Sequence, residues 1–279
     1  MSAARSESIP ADPFGALVPA GAPDIAVDRA HRETCQPDSP PFIAAGRAGL
    51  SVRILELVRA EGRLLAQLAA SGSAHPSAPP QRSDEPSADL PTGTLAGTSA
   101  GTSIGPLPGA ELFVQRGTLT LDGDVLHAGT WLRQPLHGPV ACAHAGLSAD
   151  ALVLVSIGQI APDDAEQRRH DTADSEAWMA GPNEGIEVLP LHGQGNANVM
   201  LMRWSGTVAF RPTLDPVGDE VFVLSGELHD SHGSFGAGSW IRNPVPAWQS
   251  WAGTPGTLVC YKSGHFTAVP DDDFLRATC

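Results

Sequence analysis

Short apolar runs, each cut off by glycine, proline or a polar turn, make up most of this chain. The run Glu220–Leu224 alternates Val, Phe and Leu and closes at Gly226. The polar stretch Asp230–Ser234 that follows has the composition of a turn, and the next run, Gly238–Pro244 (GSWIRNP), is stopped by proline. Runs of this kind between such punctuation predict strands. Leu50–Leu68 is ambiguous alone, because its Leu, Ala, Arg and Glu content suits a helix. Its counterpart later in the chain, Ile186–Trp204, turns at HGQGNAN, which favours a hairpin turning at Glu61–Gly62.

That counterpart exists because the chain repeats itself. Glu111–Pro135 aligns without a gap on Glu220–Pro244, with 10 of 25 positions identical. The shared positions include Glu111/Glu220, Gly117/Gly226, Gly129/Gly238, Trp131/Trp240, Arg133/Arg242 and Pro135/Pro244. Looser matches join the segments before it (from Ala45 and Ala180) and after it (Leu152–Gly158 and Leu258–Gly264). A period near 100 residues is too long for a solenoid and fits two copies of a small β domain. The predicted organisation is a flexible N-terminal arm (1–40), a first β unit (41–160), a charged linker (161–177), a second β unit (178–269) and an acidic tail (270–279). Residues 70–108, almost all Ala, Ser, Gly, Pro and Thr, are predicted to be a disordered insertion, since they offer too little apolar surface to offset chain entropy.

Composition sharpens this picture. Thirty glycines and 25 prolines in 279 residues exceed the usual roughly 7% and 5%, as an all-β fold with many turns requires. Seventeen basic against 31 acidic residues give a net charge of −14, and Lys262 is the only lysine. That balance argues against nucleic acid or an anionic membrane as partner. No apolar run approaches a membrane span, and the N-terminus has no secretory signal pattern. Cys35, Cys142, Cys260 and Cys279 show no paired spacing and read as reduced thiols of a cytoplasmic protein. Monomer and homodimer are both compatible with the sequence.

The stretch GDEVFVLSGELHDSHGSFGAGSWIRNP resembles the central segment of ChrR-like cupins, with its acidic start, V-L-x-G strand end and A-G-x-x-x-R-N-P strand. The resemblance covers roughly 41–160 and 178–267 and implies two tandem cupin barrels, double-stranded antiparallel β-helices of the jelly-roll type. A cupin generally holds a metal with H-x-H-x₃₋₄-E and a later His, ligands that suit Fe, Zn, Mn or Ni. In the second unit those places fall on Thr213, Asp215, Asp219 and Gln249, and in the first only Glu111 remains. The expected reading is therefore no metal and no other cofactor. The alternative is a divalent metal held by Asp215 and Asp219 with His192, His229 or His265.

Other groupings are weaker. His229, Asp230 and His232 sit in a predicted turn. His137, Cys142 and His144 could bind a soft metal but also read as a strand with a buried thiol. His31 and Cys35 begin the H-x₃-C-x₂-C zinc motif of ChrR-like anti-sigma factors, but Asp38 stands at the third place. Trp131, Arg133, Trp240 and Arg242 read as structural, each Arg stacking on Trp and pairing Glu111 or Glu220 at a barrel seam. Trp204, Trp248, Trp251 and Tyr261 could line an apolar barrel mouth. Together these readings predict a non-catalytic bicupin whose second barrel binds a small ligand or a protein partner. The alternatives are a dioxygenase-like metal cupin and a regulator similar to the ChrR-like anti-sigma factors.

Overall fold

The computed structural model describes residues 17–19, 22–23, 25–26, 31–46, 49–58, 61–68, 109–135, 145–161, 163–172, 177–209, 213–215, 217–244 and 247–265. Most of the predicted N-terminal arm, the 70–108 insertion, the 270–279 tail and the His137–Cys142–His144 group lie outside them. Every regular element longer than a single turn among the described residues is a strand, as the punctuated apolar pattern predicts.

Strands are numbered in chain order. One seven-stranded sheet runs β11 (Arg168–Asp171), β8 (Thr130–Gln134), β5 (Ala110–Arg116), β10 (Leu152–Ile157), β4 (Glu61–Leu68), β3 (Leu50–Val58), β2 (Ile43–Ala44). The other runs β1 (Glu33–Cys35), β20 (Trp240–Asn243), β17 (Asp219–Ser225), β23 (Leu258–Ser263), β14 (Ala197–Trp204), β13 (Ile186–Gln194), β12 (Met179–Ala180). Smaller sheets close each unit. In the first these are β6 (Thr118–Leu121), β7 (Asp124–His127) and β9 (Ala145–Leu147). In the second, β15 (Val208–Ala209), β18 (Glu227–Asp230), β19 (Gly233–Gly236) and β22 (Ala252–Gly253) form one, and β16 (Thr213–Asp215) pairs with β21 (Ala247–Gln249). Between large and small sheets lie two interior cores. Leu50, Val52, Leu112, Val114, Leu119 and Val155 anchor the first, and Met202, Trp204, Val221, Phe235, Trp251 and Val259 the second.

The Leu50–Leu68 segment forms a hairpin, not a helix, but it turns between Val58 and Glu61, earlier than Glu61–Gly62. Gly62 is already in the ladder, opposite Leu57 and Ile157. The repeated glycines mark a close approach. Gly226 has φ +72, and a Cβ there would lie 2.6 Å from Thr257 Cα; Gly117 has φ +67 and meets Ala151 Cα at 2.7 Å. Only glycine tolerates both constraints.

Strand alternation puts every second residue on the inner face and the others on the outer face. In β5 and β17 both faces are buried, because the outer faces of the two large sheets pack on each other. Leu55, Leu65, Phe113, Trp131 and Leu154 meet Leu189, Leu191, Leu201, Phe222 and Trp240 in a single cluster.

Each unit also lends its leading strand to the other. β1 pairs with β20, aligning Glu33 with Arg242 and Cys35 with Trp240, while β11 pairs with β8 and aligns Arg168 with Arg133. The stretch 161–177, predicted as a linker, thus contains a strand of the first sheet, and the end of the predicted flexible arm contains a strand of the second. Their sequences, ETC and RRHD, carry no apolar alternation, because edge strands are held by backbone hydrogen bonds and face solvent on one side.

Arg242 pins this exchange. It is 0% exposed and donates from Nη1 to Glu56 Oε1 at 2.5 Å and to the Ala26 carbonyl at 2.7 Å; Glu56 is also 0% exposed. We expect Arg242→Met to cost about 3–5 kcal/mol in urea denaturation, because it leaves Glu56 charged, buried and without its cation. The double variant with Glu56→Met should recover most of that loss. A single variant as stable as the parent would contradict the assignment.

Candidate functional site

Two places gather the residues singled out by sequence: the layer between the large sheets and the mouth of the second barrel. In the layer, the repeated carboxylates Glu111 and Glu220 are both buried, and each takes a cation from the other unit. Lys262 Nζ donates to Glu111 Oε2 at 2.5 Å, and the Arg63 guanidinium pairs with Glu220. Gln159 Oε1 ties the two pairs together, accepting from Lys262 (3.1 Å), Arg63 (2.9 Å) and Ser156 (2.8 Å). Trp240 Nε1 donates to Glu220 at 3.1 Å, and His265 Nε2 lies 3.3 Å from the same carboxylate.

The repeated arginines part company. Arg133 lies 3.4 Å from Glu111, as the seam reading expects, and also holds Asp164 at 2.5 Å. Arg242 stands opposite Glu220 in the ladder, yet its guanidinium goes to Glu56 of the first unit. It does lie over the Trp240 ring, 5.8 Å from the centroid. The hairpin bulges explain the difference. Leu55 in β3 and Leu191 in β13 are both extra residues, which makes His192 the counterpart of Glu56. Arg242 meets a carboxylate there, whereas Arg133 faces an imidazole. Asp164 fills the gap, accepting from Arg133 at 2.5 Å and lying 2.8 Å from His192 Nε2. The charged stretch between the units therefore supplies the missing anion.

At the second barrel, Asp219 is wholly buried on the inner face beside Val221 and Val223, and Asn243 Nδ2 donates to its Oδ1 at 2.8 Å. Thr213 and Asp215 in β16 pair through the backbone with Gln249 and Ala247 in β21, but their side chains, with those of Trp248 and Gln249, lie outside the description. Trp204 is core: its Nε1 donates to the Val208 carbonyl at 3.1 Å, and Gly253 packs so close that a Cβ would lie 2.6 Å from the ring. Tyr261 and Trp251, in edge-to-face contact at 5.7 Å, border a groove of about 460 Å³. Val188, Met200 and Met202 form its floor, and Ala180–Pro182 one side. Trp251 and Tyr261 were both among the aromatic candidates; Met200 and Met202 emerge only from the structure, since the period-two pattern places them on one face but does not say that the face opens.

Among the described residues no three His, Cys, Asp or Glu side chains cluster. The three imidazoles considered as partners of Asp219 lie by other groups: His192 by Asp164, His265 Nε2 3.3 Å from Glu220, and His229 2.8 Å from Ser234 Oγ in the β18–β19 hairpin. His232 and Asp230 hold Arg32 at the same hairpin. Cys35 and Cys260 are free thiols, each pushed up to about 11 by burial.

The comparisons agree with this architecture. Residues 166–267 match the model of the ChrR cupin-like domain. No curated protein matches the chain in sequence. Three solved structures share its fold at low identity. Ylba from E. coli is 14% identical, with a TM-score of 0.57, covering 90% of this chain and 97% of its own. A putative glyoxylate-induced protein from Pseudomonas aeruginosa is 15% identical, at 0.56, covering 91% and 98%. A putative dioxygenase from Nostoc punctiforme is 11% identical, at 0.55, covering 86% and 85%. The all-β cupin expectation holds.

Burial opposes ionisation of Glu111, but Lys262, with Arg63 and Arg133 beside it, outweighs burial and holds the carboxyl below the usual glutamate value of 4.5. The unfolded chain then takes up this proton at higher pH than the folded one. The contribution is complete above about 4.5 and drains as pH falls through the folded value. We expect Glu111→Gln to be less stable at pH 7 and to lose less stability than the parent on acidification below pH 4.5. Parallel acid-denaturation profiles would refute this.

Proposed function

We propose that this chain is a bicupin whose second barrel binds a small, uncharged, largely apolar molecule at its mouth, without a metal and without catalysing its conversion. The groove between Tyr261, Trp251, Met200, Met202 and Val188 carries this reading. Its volume suits a small molecule. Two methionines give an adaptable floor and favourable contacts to an aromatic ring, and the edge-to-face pair supplies a rigid wall. Gly181 brings backbone to the rim: its N donates to the Ile186 carbonyl at 2.8 Å, and a Cβ there would lie 2.8 Å from that oxygen. Asp219, a buried carboxylate of the inner face, accepts from Asn243 Nδ2. The reading is of recognition by shape and apolar contact, with the first barrel as scaffold.

The neutral fluorophore N-phenyl-1-naphthylamine tests it. We expect saturable, one-to-one fluorescence enhancement with the full chain. Met200→Trp, which fills the groove, should weaken binding roughly tenfold, the loss of about 1.4 kcal/mol of contact. Binding unchanged by Met200→Trp would place the ligand elsewhere. Elemental mass spectrometry of untagged protein should find first-row transition metal well below stoichiometric. A stoichiometric metal retained through dialysis would overturn the metal-free part.

A further inference from the structure

We infer that a second binding site, separate from the barrel mouth and independent of the proposal above, lies in the groove between the two large sheets and takes a small organic carboxylate. The groove encloses about 450 Å³. Its floor is the outer face of the first sheet, where Arg53, Gln67, Gln115 and Leu152 lie at one end of the β3–β4–β10–β5 ladder. Pro37 and Asp38, just after the exchanged strand β1, close one side; Leu224 and Gly238 of the second unit close another. The site therefore exists only when the two units are docked and β1 is in place.

Two observations point to an anion. Arg53 is only 9% exposed, and its Nε, shielded from solvent, has no acceptor among the described residues. Gln115 Nε2 is likewise shielded and without an acceptor. A buried donor left unmet costs free energy, which an acceptor on a ligand would recover. Here two donors border one groove. Burial draws the Arg53 guanidinium below the usual arginine value, with Asp38 opposing, and an anion beside it would remove that cost. Asp38 is exposed, so solvent screens its charge. Arg116 at the rim adds a second positive charge.

The bulge in β5 aims Gln115 here. Leu152 pairs with Arg116 and Val153 with Val114, so Gln115 is the extra residue of a β-bulge. Bulges of this kind re-aim a side chain and occur beside functional sites. The second unit carries the same bulge in β17, where the extra residue is Leu224. Both bulged residues border the groove, one polar and one apolar.

The remaining surface sets the rest of the ligand. The guanidinium carbon lies 4.6 Å from the centroid of the Phe42 ring, a contact that favours a stacked cation. A flat guanidinium presents Nε and one Nη side by side, a spacing that matches the two oxygens of a carboxylate. Phe42, Leu65, Leu152 and Leu224 offer an apolar wall for an organic body. A carboxylate on a small hydrocarbon or aromatic frame satisfies all of these together.

Benzoate is the probe, with benzyl alcohol and inorganic phosphate as comparisons, each titrated calorimetrically into the full chain. We expect benzoate to bind saturably and more tightly than either comparison. Arg53→Met keeps the stem over Phe42 and removes the charge; Gln115→Leu copies the residue at the sister bulge. Each should weaken benzoate roughly tenfold or more, the loss of one charge-assisted hydrogen bond, while leaving N-phenyl-1-naphthylamine binding and the Met200→Trp effect unchanged. If Arg53→Met fails to fold, Gln115→Leu decides alone. Absence of saturable benzoate binding would overturn the proposal. So would benzyl alcohol or phosphate binding as tightly as benzoate, affinity unchanged in the folded variants, or competition between benzoate and the naphthylamine.

Discussion

The chain's only lysine is buried between its two large sheets, 2.5 Å from a carboxylate repeated in both halves, and the assembly depends on that charge and its neighbours being met. Removing ions from water costs several kcal/mol each, and mutual attraction repays this only when each charge finds its partner in good geometry. Glu111 with Lys262, Glu220 with Arg63, and Glu56 with Arg242 meet that condition across the interface. Apolar packing of Phe113, Trp131, Phe222 and Trp240 supplies attraction that is indifferent to small displacements. The ion pairs are not indifferent. A slip of one residue would turn each of them to the opposite face of its strand. The charged layer thus selects one docking from the many that hydrophobic contact would allow.

That docking has chemical consequences. The two units are alike in strand order but not at their interface, because His192 replaces what Glu56 is in the other half. Asp164 repairs the imbalance, which draws the segment between the units onto the first sheet and makes β11 an edge strand there. β1 performs the reciprocal task on the second sheet. The crossings lock the halves together and also build surface: the turn after β1 forms one side of the groove over Arg53. The barrel mouth at Tyr261 and the intersheet groove at Arg53 then differ in kind. The first is apolar and belongs to one barrel; the second carries unmet donors and requires both.

Much of this was legible in the residues. The gapless repeat identified two like units, and the glycines at 117 and 226 marked strand ends where neighbouring backbone approaches to within 3 Å of a would-be Cβ. Tyr261 could be proposed as pocket-lining because aromatic residues gather in the second half, yet the same reasoning included Trp204, which is core. Pairing Arg133 and Arg242 with the repeated glutamates followed from the repeat, and in the ladder each arginine does stand opposite one. Only Arg133 reaches its own, because the side chain of Arg242 extends to another sheet. The strands ETC and RRHD left no trace, since nothing in their side chains is apolar on one face and polar on the other.

The sequence by itself determined the all-β class, the duplication, the strand boundaries near glycine and proline, and the absence of the usual H-x-H motif. These depend on local chemistry: which residues tolerate a turn, and which alternate with period two. The tertiary structure alone decided what covers each face. Alternation divides a strand into two sides but does not say whether a side meets solvent, a barrel interior or another sheet. Glu56 and Arg242, 186 positions apart, become partners only when two sheets dock. Arg53 and Gln115 look like ordinary polar residues of exposed strands until the second unit closes over them and their donors lose water.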